Sequence, residues 1–270
     1  MLAIVRPREI FWSALRSSYH HSIFRSLNNR YRADYFDVQQ AREWSETLFV
    51  STEELVENHF FRWRDLGHIV QPGVARALDR LGGRPATIVE LGTAQFDSRD
   101  FGGGTSILST LLFDSYVRSF GGTLWSVDIR DDPSRSLAGI TSEATKFLIV
   151  DSTEFLQDPN NGELLGAIDL MYFDSLELDL SEPQPAMLKI SEEWSLAQPL
   201  FSPEAVAVIT QSPRTPNDLT RPSEIRRASN FQEKYGFMPS RAHDVKIFLA
   251  ASHHWRVLHH ASSLVVQKTC

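Results

Sequence analysis

From Pro85 onward the chain alternates short apolar runs with longer stretches of helical spacing. Four runs each close on an acid: Ala86 to Leu91 with Glu90 near its end, Thr123 to Val127 before Asp128, Phe147 to Val150 before Asp151, and Ile168 to Phe173 before Asp174. A fifth run spans Ala205 to Ile209. Val/Ile/Leu-rich segments lying between helices read as buried parallel strands, and such sheets take their ligands just beyond the carboxyl ends of the strands. The acids therefore stand where a ligand would lie.

The intervening segments read as helices. Gly104-Thr105-Ser106 opens one that carries Leu108, Leu111, Leu112 and Tyr116 and ends at Gly121-Gly122. Further helices are expected over Pro133 to Thr145, from Ser152-Thr153-Glu154, over Pro185 to Leu196, and over Ser223 to Tyr235 before Gly236. Gln211 to Pro222 is rich in Pro, Ser, Thr and Asn and reads as a loop. Trp255 to His259 and Ser263 to Lys268 read as two strands joined by a short turn. The expected fold class is α/β: a Rossmann-like, mostly parallel sheet with helices on both faces, an antiparallel C-terminal hairpin and an N-terminal helical extension.

The extension covers residues 34–84. Ala41, Trp44 and Leu48 share a helical face, Ser51-Thr52-Glu53-Glu54 caps the stretch carrying Leu55, Val56, Phe60 and Phe61, and a last helix runs from Pro72 to Leu81 before Gly82-Gly83. Trp44, Phe60, Phe61 and Trp63 are candidates for an apolar acceptor wall, although aromatics at this spacing also build cores. Residues 1–33 form a basic arm, with six Arg against the single acid Glu9. That composition is shared by transit peptides and by basic amphipathic surface segments, and its Ile10, Phe11, Ala14 and Leu15 stripe also suits packing on the body or on another subunit of a homo-oligomer.

Composition narrows the function. Of 270 residues, 42% are hydrophobic and 23% charged, enough to bury a sizeable core. The formal net charge of −7 argues against a nucleic-acid partner, whose binding relies on Lys and Arg displacing counterions. The one cysteine, Cys270, permits no internal disulfide and no thiolate metal cage, which fits a reducing, cytoplasmic setting. No apolar run has the length of a transmembrane segment, and Met1 to Val5 is too short for a signal core.

The richest segment is Val89-Glu90-Leu91-Gly92-Thr93, followed by Ala94 to Phe101 and Gly102-Gly103-Gly104-Thr105-Ser106. Gly92 lets the chain turn out of the strand, and the later glycines let backbone N–H groups approach a ligand at a helix N-terminus. Here the chain resembles class I S-adenosylmethionine-dependent methyltransferases, in particular small-molecule O-methyltransferases with a Glu-Leu-Gly-Thr motif and a Gly-Gly-Thr-Ser-type turn. The resemblance covers roughly residues 85–268 of a domain set at 85–270. It implies S-adenosylmethionine as cofactor, with Glu90, Gly92 and Thr93 near its methionine part, Gly103 and Gly104 shaping the loop, and Asp151 and Ser152 beside adenine. It also puts Asp128 on the ribose hydroxyls, and the distance of Asp128 beyond the glycine turn argues independently for that role. The eight residues Ala94 to Phe101 make this loop longer than the family usually has.

A nicotinamide dinucleotide suits the sequence less well. Ile107 stands where a third glycine belongs, and Asp97 and Asp100 would repel a pyrophosphate, whereas an acid-lined mouth suits a sulfonium. No Gly-Lys-Ser/Thr ends the turn, which excludes a P-loop. In metal-dependent relatives of the resembled family an acid after the fourth strand binds a divalent cation with acid or amide residues after the fifth. This chain offers Asp174 there, with Glu177 and Asp179 nearby, but Gln211 and Ser212 at the later point, so a metal is not favoured. Asp174 and Glu177, with His243 behind them, are the candidates for the base that takes a proton from the acceptor hydroxyl. The pairs His253-His254 and His259-His260 point to opposite strand faces and make poor chelators.

The reading expected from sequence is methyl transfer to a hydroxyl of a small molecule, a sugar or natural-product intermediate. The alternatives are a non-catalytic binding or scaffold protein that keeps the methyltransferase fold and, third, an NAD(P)-dependent reductase.

Overall fold

The computed structural model describes residues 72–93, 107–137, 141–219 and 221–269. The basic arm, the extension up to residue 71, the Ala94 to Phe101 loop, Gly103 and Gly104 lie outside the described residues. Helix α1 (Pro72–Leu81) leads into β1 (Ala86–Leu91), followed by α2 (Ile107–Phe120), β2 (Gly122–Asp128), α3 (Asp132–Leu137), β3 (Thr145–Ile149), α4 (Ser152–Gln157), β4 (Ile168–Phe173), α5 (Gln184–Ala197), β5 (Phe201–Ile209), α6 (Pro222–Tyr235), α7 (His243–Ala251), β6 (Trp255–His260) and β7 (Leu264–Lys268). Short 3₁₀ turns occupy Pro159–Leu164 and Pro216–Asp218.

The strands form one seven-stranded sheet in the order β3-β2-β1-β4-β5-β7-β6. β1 to β5 are parallel, and β7 runs antiparallel between β5 and β6. The strand order starts in the middle with β1, winds outward through β2 and β3, then crosses back to β4 on the other side of β1. That reversal falls at the carboxyl ends of β1 and β4, the place where doubly wound sheets take their ligands. Over the described residues the expected α/β class is the observed one, antiparallel finish included; of the N-terminal helical extension only α1 is described.

Alternation along the central strands sorts side chains to two cores. Ile88, Leu170, Tyr172, Val206 and Val208 meet Leu78 and Leu81 of α1 and Phe113, Tyr116 and Val117 of α2. Val89, Leu91, Met171, Phe173 and Ile209 meet Phe155 of α4, Ile190 and Trp194 of α5 and Val245 of α7. Every residue of β4 is buried, as a strand covered on both faces requires, while edge strand β3 is half-exposed. Trp194 anchors the second core, in ring contact with Phe173, Phe201, Phe248 and Trp255.

Three elements differ from the sequence expectation. β5 starts at Phe201 rather than Ala205, because a bulge between the Ile168 and Leu170 pairings carries exposed Pro203 and Glu204 past the ladder. The helix expected over Pro133 to Thr145 stops at Leu137, and Thr145 instead starts β3, its hydroxyl donating to Asp114. Helix α7 was not anticipated; it buries Val245 and lays Phe248 on Trp194.

Candidate functional site

The candidate site is built where β1 turns. Leu91 accepts from the Asp174 amide and Gly92 donates to the Val127 carbonyl, both at 2.8 Å, so the turn is tied to β4 and β2 together. Gly92 has φ +94°, and a Cβ there would stand 2.3 Å from the Asp174 carbonyl oxygen. Only glycine fits both the backbone and the approach.

The next residue links the turn to the β2 tip. The Thr93 amide donates to Asp128 Oδ2 at 3.1 Å, and the Arg130 amide donates to Oδ1 at 2.9 Å. Asp128 is thereby oriented at the rim with its side chain 12% exposed. Below the turn, β1 alternation sends Glu90 toward α2. Its carboxylate accepts from Ser109 and Thr110 in the first turn of α2, both at 2.6 Å, and from Ser126 of β2 at 2.7 Å. Thr93 Oγ1 lies 2.9 Å from Ser126 Oγ, so with Ser126 donating to Glu90 it is Thr93 that donates to Ser126. Complete burial pushes Glu90 up to about 7, against the pull of the three hydroxyls. Glu90, Gly92, Thr93 and Asp128 are thus brought together as one hydrogen-bonded unit.

Asp151 and Ser152 follow β3. Asp151 caps α4 by accepting from the Thr153 amide at 2.8 Å and holds Lys189 of α5 at 2.9 Å. Desolvation would raise Asp151, but the bonds from Thr153 and Lys189 outweigh it and bring it down to about 2. The Ser152 hydroxyl is buried and donates to Glu193 of α5, a carboxylate that burial shifts upward against the charges of Lys189 and Arg241. Both side chains are therefore engaged within the protein and bind the β3 end to α5.

At the β4 end, Asp174 accepts from Thr210 Oγ1 at 2.6 Å and from the Arg241 guanidinium, which also donates to Thr210 at 2.7 Å. Arg241 is 2% exposed. The Gln211 side chain accepts from the Leu178 amide at 2.6 Å, and Ser212 donates to the Thr210 carbonyl while accepting from the Ala242 amide. Glu177 is exposed, and His243 opens α7 with its ring 4.3 Å from that of Phe237, partial burial lowering its pKa. No hydrogen bond or ion pair among the described residues joins Asp174, Glu177 and His243 to one another. No cluster of three or more His, Cys, Asp or Glu set to hold a metal occurs among the described residues. No described helix is long and apolar enough to cross a membrane.

Sequence reasoning missed Arg241, Thr210, Ser109, Thr110, Ser126, Lys189 and Glu193. A hydroxyl pair opening a helix opposite a strand-borne Glu was the one available signal, for Ser109 and Thr110.

No protein-family model matches the chain, and no curated protein matches it. Solved structures similar to it include a methyltransferase from Geobacter sulfurreducens, at 11% identity and a TM-score of 0.42 over 88% of this chain and 98% of that one. Human N-acetylserotonin methyltransferase in complex with SAM is similar at 14% identity and a TM-score of 0.40, over 94% of this chain and 68% of that one. These likenesses are distant, and the functional reading rests on the rim itself.

Proposed function

We propose that this protein transfers the methyl group of S-adenosylmethionine to a hydroxyl of a small molecule, a sugar or natural-product intermediate, in the cytoplasm. The observation that carries the reading is Asp128, held by the Thr93 and Arg130 amides at the tip of β2, beside the Gly92 turn where the strand order reverses. An acid so placed accepts from ribose hydroxyls. The same rim carries Asp151 and Asp174, but their charges are met by Lys189 and Arg241, so the reading rests on Asp128 and not on them.

In this reading Gly92 and Thr93 border the methionine part, Asp128 holds the ribose, and the segment at Asp151 and Ser152 borders adenine. Gly103 and Gly104 keep the loop role that the motif implies. The cofactor supplies an electrophilic methyl group on a sulfonium; the chain positions the acceptor and removes its proton. Glu90 acts from beneath, fixing the Gly92 turn to α2 and β2. Of the candidate bases, Glu177 is the exposed carboxylate, whereas Asp174 is occupied by Thr210 and Arg241. His243, partly buried and shifted toward its neutral form, is the second candidate.

Calorimetry with S-adenosylmethionine and with S-adenosylhomocysteine tests the reading. Saturable heat is expected, weakened by roughly 1–3 kcal/mol in Asp128→Ala as a charge-assisted bond is lost. A non-catalytic scaffold is the second reading, favoured by the number of rim carboxylates already paired within the protein. It predicts no heat with either compound, and heat with a nicotinamide dinucleotide alone would point to the reductase.

A further inference from the structure

Three positions decide whether the acceptor side of the rim can take a divalent cation: Asp174, Gln211 and Ser212. All three are engaged. Asp174 holds the Arg241 guanidinium and the Thr210 hydroxyl, Gln211 accepts from the Leu178 amide, and Ser212 bridges the Thr210 carbonyl and the Ala242 amide. A divalent ion of the Mg²⁺ type needs several free oxygens, carboxylates above all. Of the nearby acids Asp179 accepts from the Ser181 amide and hydroxyl, and Glu177 alone cannot supply such a shell, so the donor set among the described residues does not fit one.

A cation is nevertheless present there. Resting on the methyl-transfer reading, we propose that the Arg241 guanidinium is the fixed cation of the acceptor site, standing beside Asp174 where a metal would stand, so that the site works without a divalent metal. Arg241 enters from the segment between α6 and α7 and is as buried as a core residue. One of its terminal nitrogens ties Asp174 to Thr210 across the ends of β4 and β5. Its Nε–H has no acceptor among the described residues, which leaves a donor direction for a ligand oxygen or a water. Unlike a bound ion, a guanidinium cannot be chelated away and does not lose its proton in the working range.

The test uses the full chain titrated with Mn²⁺ alone, followed by the electron paramagnetic resonance of free Mn²⁺, with no S-adenosylmethionine present. The wild-type protein is expected to show no saturable site at Asp174. One-to-one binding that Asp174→Asn abolishes overturns the proposal; binding that survives Asp174→Asn lies elsewhere and counts for it. A second readout compares thermal midpoints of Arg241→Met, Asp174→Asn and the double variant. The double variant is expected to regain most of the midpoint lost by Arg241→Met, because each charge is costly only without the other. Additive losses overturn the pairing. Should the single variants fail to fold, the wild-type titration still decides. Neither measurement depends on methyl transfer, so a failed activity assay and a failed cation assignment are told apart.

Discussion

Two carboxylates at neighbouring strand ends are stabilised in opposite ways. Glu90, at the end of β1, is wholly buried among three hydroxyls, and no cation among the described residues pairs with it. Asp174, just beyond β4, is held by a buried guanidinium with a single hydroxyl beside it. Hydroxyls can donate to a carboxylate or, by rotating, accept from a carboxylic acid, so the Glu90 cage tolerates either protonation state. The guanidinium only donates, and its site is built around a charge. The first half of the rim is thus a clasp of hydroxyls under the proposed cofactor, and the second an ion pair beside the proposed acceptor.

Removing a partner should separate the halves. Arg241→Met leaves Asp174 without its cation and is expected to cost about 3–5 kcal/mol in urea unfolding, the penalty of an uncompensated buried charge. Thr110→Val beside Glu90 removes one hydroxyl of three and should cost only about 1–2 kcal/mol. Equal losses would erase the distinction. Next in size is the joint between the halves. Gly92→Ala puts a methyl group 2.3 Å from the Asp174 carbonyl at a φ of +94°. A loss of at least ~3 kcal/mol is expected, since strain and displacement of β4 add. Unfolding that matches wild type would mean β1 and β4 are not locked at this point.

Much of this frame was legible in the sequence, for a physical reason. β1 and β4 were bounded correctly because strands covered on both faces are largely apolar, and the acids near their carboxyl ends stand out against that background even though β4 also buries Asp169 near its start. β5 was bounded late because Pro203 and Glu204 break the run and only the bulge restores pairing upstream. Asp128, Asp151 and Asp174 were recognisable as rim acids, but their partners were not. Arg241 sits in a short connecting segment with no periodicity and meets Asp174 across 67 residues of chain. Ser126 lies within an apolar strand and looks like a tolerated interruption until Glu90 is seen opposite. Local pattern reveals the elements; the partner of a buried charge is set by how distant elements converge.

The pH dependence of the clasp comes next. Glu90 has a folded pKa near 7 against an ordinary value of 4.5, so between those values the folded state binds the extra proton. Its contribution to stability is full below about 4.5 and is lost as pH rises through about 7. The shift corresponds to about 3 kcal/mol at most. Urea unfolding at the two ends of that window should give a wild-type slope that Glu90→Gln flattens. An unchanged slope would show that the cage does not hold the proton.

The smallest effect belongs to Asp151, which provides the opposite sign on the same rim. Thr153 and Lys189 lower it to about 2 against an ordinary 3.8, so its contribution is present above about 4 and is lost as pH falls toward 2. Its side chain is 37% exposed and solvent screens the pair, so Lys189→Met should cost no more than about 1 kcal/mol at neutral pH. The variant should instead raise the Asp151 pKa, read by carboxyl NMR, and shift the acid limb of unfolding upward. The lowering should persist in part, because the Thr153 bonds that cap α4 are untouched. Full return to the ordinary value would make Lys189 the sole cause and remove the cap from the account. No movement would leave the cap in charge and Lys189 a bystander. A partial rise would place Asp151 with Asp174, as a rim acid held by a cation, and leave Glu90 as the contrasting case.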